Sequence, residues 1–357
     1  MRIAQIAPLI ESVPPRLYGG TERVVAYLCE ELVRRGHRVT LFASGDSRTS
    51  AELVACSPTA LRLAPEMRDP LPYNIAMLEQ LRQRARDFDI LHFHIDYLHY
   101  PLLRALGVTA LTTLHGRLDL PDLVPLYRLF DDMPVVSISY DQRRPLPWLR
   151  WAGNVYHGLP VDLHPFSPQP AGGYLAFLGR ICAEKRPDRA IEIARRCGLP
   201  LRIAAKVDRA DEAYFAQHIR PLLAQPGVTF VGEIDEAQKS RFLGDALALL
   251  FPIDWPEPFG LTMIEAMACG TPVVAWRCGS VPEIVEDGLT GWIVDSIEDA
   301  VGAVRAALQL DRTRIRRRFA ERFSAERMAT DYLALYEAML EGEARTSPWT
   351  STPANAA

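Results

Sequence analysis

Residues 246–275, ALALLFPIDWPEPFGLTMIEAMACGTPVVA, contain a complete strand, loop, helix and second strand. The apolar run that ends at Phe251 predicts a buried strand. A helix is predicted from Leu261 to Cys269, because the glycine that follows is a common helix terminator. A second apolar strand follows at 272–275. Strand, helix and strand in this order predict a βαβ unit of a parallel sheet.

The same alternation runs through both halves of the chain. In the first half the predicted strands are 2–9, 37–43, 89–94, 108–113, 134–137 and 153–156. In the second half they are 174–179, 201–207, 228–231, 246–251, 272–275 and 290–294. A stretch without periodicity at about 158–172, rich in proline and glycine, predicts a linker between 1–160 and 161–325. We therefore expect an α/β protein with two Rossmann-like, doubly wound domains that face a cleft.

The composition sets limits on the class of protein. The chain has 357 residues, 48% hydrophobic and 24% charged, which is ordinary for two globular domains and excludes a disordered chain. A net charge of −4 gives no field for binding nucleic acid. The six cysteines show no C-x-x-C spacing, and neither a signal peptide nor a membrane span is apparent, so we expect a cytoplasmic protein with reduced thiols. We expect a disordered tail at 346–357.

Lysine is rare in this sequence. Only Lys185, Lys206 and Lys239 occur among the 40 lysines and arginines. Compositional bias towards arginine explains most of this excess, and it makes any lysine in a ligand-binding loop easier to notice.

The helix predicted at 261–269 opens a candidate anion site. The backbone N–H groups of Gly260, Leu261 and Thr262 lie at its start, where they favour a phosphate group. Glu257 precedes the helix and Glu265 lies one turn into it, so the two carboxylates can accept hydrogen bonds from sugar hydroxyls. The alternative is that Glu257 is a solvated loop residue and that Glu265 only interacts with the helix dipole.

Two other loops follow predicted strands and carry residues suited to phosphate binding. Arg180 and Lys185 come directly after the first strand of the second half, and together they can neutralise a diphosphate. Gly19 and Gly20 precede the first helix and allow the backbone to approach a ligand closely. The alternatives are ordinary loop charges and a plain turn. The spacing is not G-x-G-x-x-G, which argues against a dehydrogenase.

Several polar or small residues at strand ends are weaker candidates. His115 ends a strand of the first half and could donate to a sugar hydroxyl or steady charge, although a structural histidine is the alternative. Asp96 and Ser139 are candidates for contact with an acceptor. Gly232 and Ile234 are candidates for contact with a nucleotide base.

A metal site and a membrane site are less well supported. His92, His94 and His99 are close in sequence, but alternation along a strand puts only the first two on one face, so we expect no metal site. Trp148 and Trp151 lie among arginines and could touch a membrane surface or an acceptor, although a packed surface helix end is the alternative.

Along the chain these signals occur in the order Gly19-Gly20, His115, Arg180 with Lys185, and Glu257-x7-Glu265. In this order they resemble the retaining glycosyltransferases of family 4, which have the GT-B fold. The resemblance spans roughly residues 1–340 and is most specific in EPFGLTMIEAMACGTPVVA (257–275) and LGRICAEKRPD (178–188). One departure is the linker, where many members have N-G-V-D and this chain has Gly158-Leu159-Pro160-Val161-Asp162.

The resemblance implies a donor, an acceptor and roles for the residues above. The donor would be a nucleoside diphosphate sugar such as a UDP-sugar or GDP-sugar, bound mainly by the second domain, and no metal or other cofactor is implied. The acceptor would be a small molecule, a glycan or a lipid-linked sugar. The implied catalytic residues are His115, Arg180, Lys185 and Glu257. The implied donor-binding residues are Gly19, Gly20, Arg180, Lys185, Glu257, Phe259, Gly260, Leu261, Thr262 and Glu265. The final helix, 326–345, would cross back to the first domain.

Two alternative functions remain open from the sequence. One is an epimerase or hydrolase of the same fold that acts on a nucleotide sugar, although such epimerases lack the Glu257-x7-Glu265 segment in this form. The other is a binding module without catalytic activity, which the intact motifs disfavour.

Overall fold

In the computed structural model, which describes residues 1–16 and 19–346, the chain forms two parallel β-sheets. The first contains β1 (Arg2–Ile6), β2 (Arg38–Ser44), β3 (Glu52–Ser57), β4 (Ile90–Phe93), β5 (Ala110–Thr113), β6 (Val135–Ser137) and β7 (Trp151–Asn154). The second contains β8 (Leu175–Arg180), β9 (Leu201–Lys206), β10 (Val228–Gly232), β11 (Ala248–Phe251), β12 (Val273–Trp276) and β13 (Gly291–Val294). The predicted tail lies, beyond Thr346, outside the described residues.

Helices connect the strands and cover the sheets. In the first half they are α1 (Gly20–Arg34), α2 (Leu71–Arg84), α3 (Tyr100–Leu106) and α4 (Leu123–Leu129). In the second half they are α5 (Pro187–Cys197), α6 (Glu212–Tyr214), α7 (Arg220–Leu223), α8 (Glu236–Gly244), α9 (Leu261–Ala268), α10 (Val281–Ile284), α11 (Ile297–Ala307), α12 (Arg312–Phe323) and α13 (Ala325–Thr346). No helix within the described ranges is both long and apolar enough to cross a bilayer.

The two sheets share one strand order, which confirms the predicted α/β architecture. The first runs β3-β2-β1-β4-β5-β6-β7 and the second β10-β9-β8-β11-β12-β13. In each sheet the order reverses once, between β1 and β4 and between β8 and β11. Ligands bind outside the carboxyl ends of the strands at such reversals. The fold therefore provides two ligand-binding edges.

The observed strands differ from the predicted ones in several places. Strand β3 was not predicted; it lies at the sheet edge, its apolar run is only four residues long (53–56), and its first four residues are exposed or half-buried. Strand β7 begins two residues before the predicted strand at 153–156. Between β9 and β10 the helical segment is interrupted by a π-helical turn at Phe215–Ile219.

The last helix returns to the first sheet. Met328, Tyr332 and Tyr336 of α13 are buried in one apolar cluster with residues of β1 and α1. Where the chain leaves the first sheet, the N–H of Leu159 donates to the carbonyl of Phe323 at 2.9 Å. The outgoing and returning segments are thus hydrogen-bonded to each other.

Close approach of these two segments requires a glycine. A Cβ atom at Gly158 would lie 2.2 Å from the carbonyl oxygen of Ser324. Any larger residue at this position would push the outgoing and returning segments apart.

Candidate active site in the cleft

A cavity of about 640 Å³ lies where the carboxyl ends of β8 and β11 face loops of the first half. The residues singled out from the sequence that line it are Gly19, Gly20, His115, Arg180, Lys185, Ile234, Glu257, Phe259, Gly260, Leu261, Thr262 and Glu265. The fold thus brings together segments that are far apart in sequence, and the cavity walls come from both halves of the chain.

The remaining candidates lie elsewhere. Asp96 lines a second cavity of about 370 Å³, which shares His115 with the first. Ser139 is buried and outside both linings, and its Oγ accepts a hydrogen bond from the Gln142 N–H at 3.2 Å. Gly232 ends β10 in the left-handed region with φ 85° and also lies outside both linings. The structure therefore does not place Ser139 or Gly232 where the sequence suggested.

Helix α9 presents its N-terminus to the larger cavity. Its N-cap residue, Gly260, has φ 83° and carries no side chain that could cap the helix. The positive φ favours glycine at this position, and a Cβ there would also lie 2.8 Å from Cε of Met263. The first N–H groups of the helix have no partner within the helix and carry its positive dipole end. An anion in the cavity would accept hydrogen bonds from these N–H groups and would be attracted by the positive end of the dipole.

Lys185 and Glu257 form an ion pair on the same wall. The indole N–H of Trp255 also donates to Glu257, at 3.0 Å. The ammonium group of Lys185 lies 5.1 Å from the centre of the Trp255 ring. Both partners of the ion pair line the cavity, so a ligand with an anionic group and a hydroxyl group could exchange with it.

Arg180 lies among carboxylates at the end of β8. Its guanidinium group is 3.5 Å from Asp208, 3.6 Å from Asp211 and 4.0 Å from Glu184. The side chain is 36% exposed, so solvent screens these contacts. The arrangement holds a cation at the cavity without burying it.

Glu265 is the most buried charge of the cavity. Its Oε1 accepts a hydrogen bond from the ammonium group of Lys239 at 2.7 Å, while its Oε2 has no partner. Burial raises the pKa of Glu265, but Lys239, His164 and Arg23 outweigh that effect and lower the pKa overall. The group is therefore a carboxylate with one oxygen available.

All three lysines of the chain line this cavity. From the sequence only Lys185 has an assigned role, whereas Lys206 and Lys239 also line the cavity. The rarity of lysine was the signal that could have identified them. Lys239 meets Glu265 from helix α8, 26 residues away in sequence.

One group of side chains has the composition of a metal site. Ligand atoms of His164, Glu236 and Glu265 lie within 4.8 Å of one another. However, Lys239 pairs with Glu265, and Arg23 pairs with Glu236. A metal ion would have to compete with these two cations, so the group suits hydrogen bonds from a neutral ligand better than a metal.

The wall formed by the first half is built around histidines. His115 Nε2 lies 2.8 Å from Nδ1 of His94, and the His115 ring stacks on His157 with centroids 5.2 Å apart. Burial lowers the pKa of His115 to about 3. His115 is therefore neutral in the folded protein. His94 and His157 were not identified from the sequence as part of the cleft.

Two carboxylates of the first half also reach the larger cavity. Glu11 and Glu22 line it, and Glu11 forms an ion pair with Arg62. Burial raises the pKa of Glu22 to about 7, and the charge of Glu11 contributes to the shift. Neither glutamate was assigned a role from the sequence, although Glu22 lies only two residues after the Gly19-Gly20 pair.

The aromatic-basic cluster of the first half is packed rather than free. Trp148 and Trp151 are half-buried against the apolar core, and the guanidinium of Arg128 lies 4.0 Å from the Trp148 ring centre. This arrangement favours the structural alternative over a membrane contact.

Comparison with known proteins identifies the family. Residues 168–324 match the family described as "Glycosyl transferases group 1", and residues 18–159 match "Glycosyltransferase Family 4". Over 346 residues the chain is 27% identical to a phosphatidyl-myo-inositol mannosyltransferase of Mycobacterium leprae, with 84% of this chain and 85% of that protein covered.

Two solved structures share the fold. A glycosyltransferase involved in avilamycin A biosynthesis has a TM-score of 0.73 at 23% identity, covering 96% of this chain and 98% of that chain. The Anabaena protein HepE, solved with UDP and glucose, has a TM-score of 0.73 at 17% identity, covering 95% of this chain and 100% of that chain. The chain therefore belongs to glycosyltransferase family 4, acts as a glycosyltransferase and has the GT-B fold.

Proposed function

We propose that this glycosyltransferase moves a sugar from a nucleoside diphosphate sugar to an acceptor hydroxyl, with retention of anomeric configuration and without a metal ion. The observation that carries the proposal is the convergence of Arg180, Lys185 and the N-terminus of α9 on one cavity. These are three positive groups of different kinds, and no carboxylate cluster free of cations lies beside them among the described residues.

The positive wall would stabilise the leaving group. Breaking the bond to the sugar builds negative charge on the departing diphosphate, and preorganised positive groups lower the energy of that transition state. In this scheme Lys185 exchanges Glu257 for a phosphate oxygen. Glu257, released from Lys185, then accepts hydrogen bonds from hydroxyls of the transferred sugar.

Glu265 would hold the nucleoside. Its free oxygen is buried and unpartnered, so a ribose hydroxyl that donates to it satisfies both groups. Lys239 keeps Glu265 ionised, which makes it a strong acceptor. Ile234 lies at the same cavity and is a candidate for contact with the base.

The acceptor would enter from the side of the first half. The smaller cavity adjoins the larger one at His115 and carries Asp96, a candidate for binding an acceptor hydroxyl. Attack on the same face as the leaving group gives retention, and a donor phosphate oxygen can take the proton of the acceptor. This scheme needs no covalent nucleophile from the protein.

A transfer assay tests the activity. The protein is incubated with UDP-glucose or GDP-mannose and a panel of alcohol, glycan and lipid-linked acceptors, and nucleotide release and product anomer are measured. We expect release with at least one donor, a product of the donor's anomeric configuration, and no effect of EDTA. Absence of release with every pair would contradict the activity. An inverted product would contradict retention, and an EDTA-sensitive rate restored by a divalent ion would contradict metal independence.

The lysine distribution supplies a binding assay that does not depend on turnover. An amine-acylating reagent can modify only Lys185, Lys206, Lys239 and the α-amino group of Met1. Met1 precedes the amino end of β1, away from the cleft, and serves as the internal control. We expect the correct donor to protect the lysines and not Met1. Equal labelling with and without every nucleotide sugar tested would overturn the assignment of this cavity.

A further inference from the structure

The histidine wall continues into a chain of buried hydrogen bonds that ends on the last helix. Gln5 Nε2 donates to the hydroxyl of Tyr336 at 3.1 Å, and Gln5 Oε1 lies 2.9 Å from Nε2 of His94. Nδ1 of His94 lies 2.8 Å from Nε2 of His115. Gln5, His94 and Tyr336 are all buried. The chain therefore links α13, β1 and the residue after β4 to a ring that lines the cleft.

We propose that Gln5 and His94 are positioning residues that hold His115 in one orientation and in the tautomer with its proton on Nε2. The proposal rests on the proposed function, in which His115 borders the transferred sugar.

The direction of the chain follows from which atoms can donate. Gln5 Oε1 can only accept, so Nε2 of His94 must carry a proton. Burial holds the pKa of His94 well below its ordinary value, and the ring is therefore neutral with a bare Nδ1. Because that nitrogen accepts, Nε2 of His115 must be the donor. His115 is neutral as well, which leaves its Nδ1 without a proton.

The reverse direction is disfavoured at the cleft end. If the Gln5 amide were turned over, every donor and acceptor would exchange and Nδ1 of His115 would carry the proton. That nitrogen is buried and has no hydrogen-bond partner. Buried N–H groups without an acceptor are rare in folded proteins, whereas bare acceptors are tolerated more readily. The environment of His115 thus selects the direction for the whole chain.

The far end of the chain agrees with this direction. The Tyr336 hydroxyl accepts from Gln5, so its own proton goes to Nδ1 of His92, 2.6 Å away. Nε2 of His92 then donates to the Thr113 hydroxyl at 2.7 Å. Every group of the chain has a consistent role, which is the condition for a rigid buried network.

A fixed His115 matters because its ring lines both cavities. If the chain is cut, the ring gains freedom at the boundary between the donor side and the acceptor side. The diphosphate and ribose contacts lie on the opposite wall and stay intact. We therefore expect loss of this chain of hydrogen bonds to lower kcat several-fold and to leave the KM for the donor nearly unchanged.

The test combines NMR of the ring nitrogens with a matched pair of variants. Tyr336→Phe removes the hydroxyl that orients Gln5. Tyr332→Phe removes a hydroxyl from the same buried helix face, but its partner is Thr113, at 2.9 Å, and not Gln5. In the wild type we expect Nδ1 of His115 to have the nitrogen chemical shift of an unprotonated ring nitrogen. Tyr336→Phe should give a mixture of tautomers and the kcat loss, whereas Tyr332→Phe should keep the wild-type tautomer.

Three results would overturn the proposal. They are a proton on Nδ1 of His115 in the wild type, an unchanged tautomer in Tyr336→Phe, and equal effects of the two tyrosine variants. Gln5→Met cuts the chain at its centre and should reproduce Tyr336→Phe. Failure of the proposed function would give a different result. The wild type would then show no turnover with any donor, whereas NMR would still report the tautomer of His115.

Discussion

The two walls of the cleft are built on opposite principles. The wall of the second half carries charges in partly exposed ion pairs, such as Lys185 with Glu257 and Arg180 with Asp208. The wall of the first half also carries charges, in the ion pair of Glu11 with Arg62, but it is built around neutral, buried histidines in a hydrogen-bonded chain. Partly exposed ion pairs contribute little stability and exchange partners readily, whereas buried networks fix geometry. A wall that must receive and release an anion benefits from the first design, and a wall that must hold a shape benefits from the second.

Acidification gives the largest expected effect and tests whether the first wall is neutral. Burial lowers the pKa of six histidines: His92, His94, His99, His115, His157 and His164. Below about pH 6.5 the unfolded chain takes up protons that the folded chain does not. The free energy of unfolding should therefore fall on acidification, with a slope that approaches about 1.4 kcal/mol per pH unit for each such group about one unit below that pH. Glu22, whose pKa is raised to about 7, takes up a proton in the folded chain over the same range and offsets the contribution of one of these groups. Guanidinium unfolding at about pH 7, 6 and 5.5 measures the slope.

One variant calibrates this slope. His99 stacks on Phe93 away from the chain that reaches the cleft, so His99→Phe removes one titrating group without touching the candidate site. Its slope should be smaller than that of the wild type, by up to about 1.4 kcal/mol per pH unit at the acid end of this range. A stability that stays flat between pH 7 and 5.5 would show that these histidines are not held neutral, and the contrast between the walls would collapse.

Removal of Lys185 gives the next largest effect and tests the charged wall. Lys185→Ala removes a positive group that faces the departing diphosphate, and we expect kcat/KM to fall by about 100- to 1,000-fold. We also expect some loss of thermal stability, because the two side chains are only 17% and 13% exposed and Glu257 keeps only the hydrogen bond from Trp255. Arg195→Ala, which breaks an exposed ion pair with Glu192 on α5, is the control and should keep wild-type activity. A kcat/KM for Lys185→Ala within twofold of the wild type would contradict the assignment.

The sequence predicted the fold and most of the charged wall, for a physical reason. Buried parallel strands leave continuous apolar runs, and the loops that follow them carry local motifs such as the segment from Glu257 to Glu265. Gln5, His94 and Tyr336 could not be grouped in this way, since Gln5 and Tyr336 are 331 residues apart in sequence. Their contact depends on the return of α13 to the first sheet, and no local pattern shows which side chains meet there.

Polar residues inside apolar strands were the available hint. Gln5 interrupts a strand that is otherwise apolar, and it is fully buried in the structure. A buried amide needs hydrogen-bond partners, so a polar contact could have been expected from its position. Which residues supply that contact required the three-dimensional fold.

The smallest expected effect is a gain in donor affinity. It tests whether the ion pairs of the charged wall exchange with the donor. Glu184 lies 4.0 Å from Arg180 and competes with a phosphate group for it. Glu184→Gln should therefore tighten donor binding, by up to about fivefold at low ionic strength, since a pair of this exposure contributes up to about 1 kcal/mol. Arg117, the other partner of Glu184, keeps its ion pair with Asp119 at 2.7 Å and is not left uncompensated. Titration calorimetry with the donor measures the change, and Glu192→Gln, on α5, is the matched control. Weaker binding by Glu184→Gln at low salt would mean that the carboxylates hold Arg180 in place for the donor instead of competing with it.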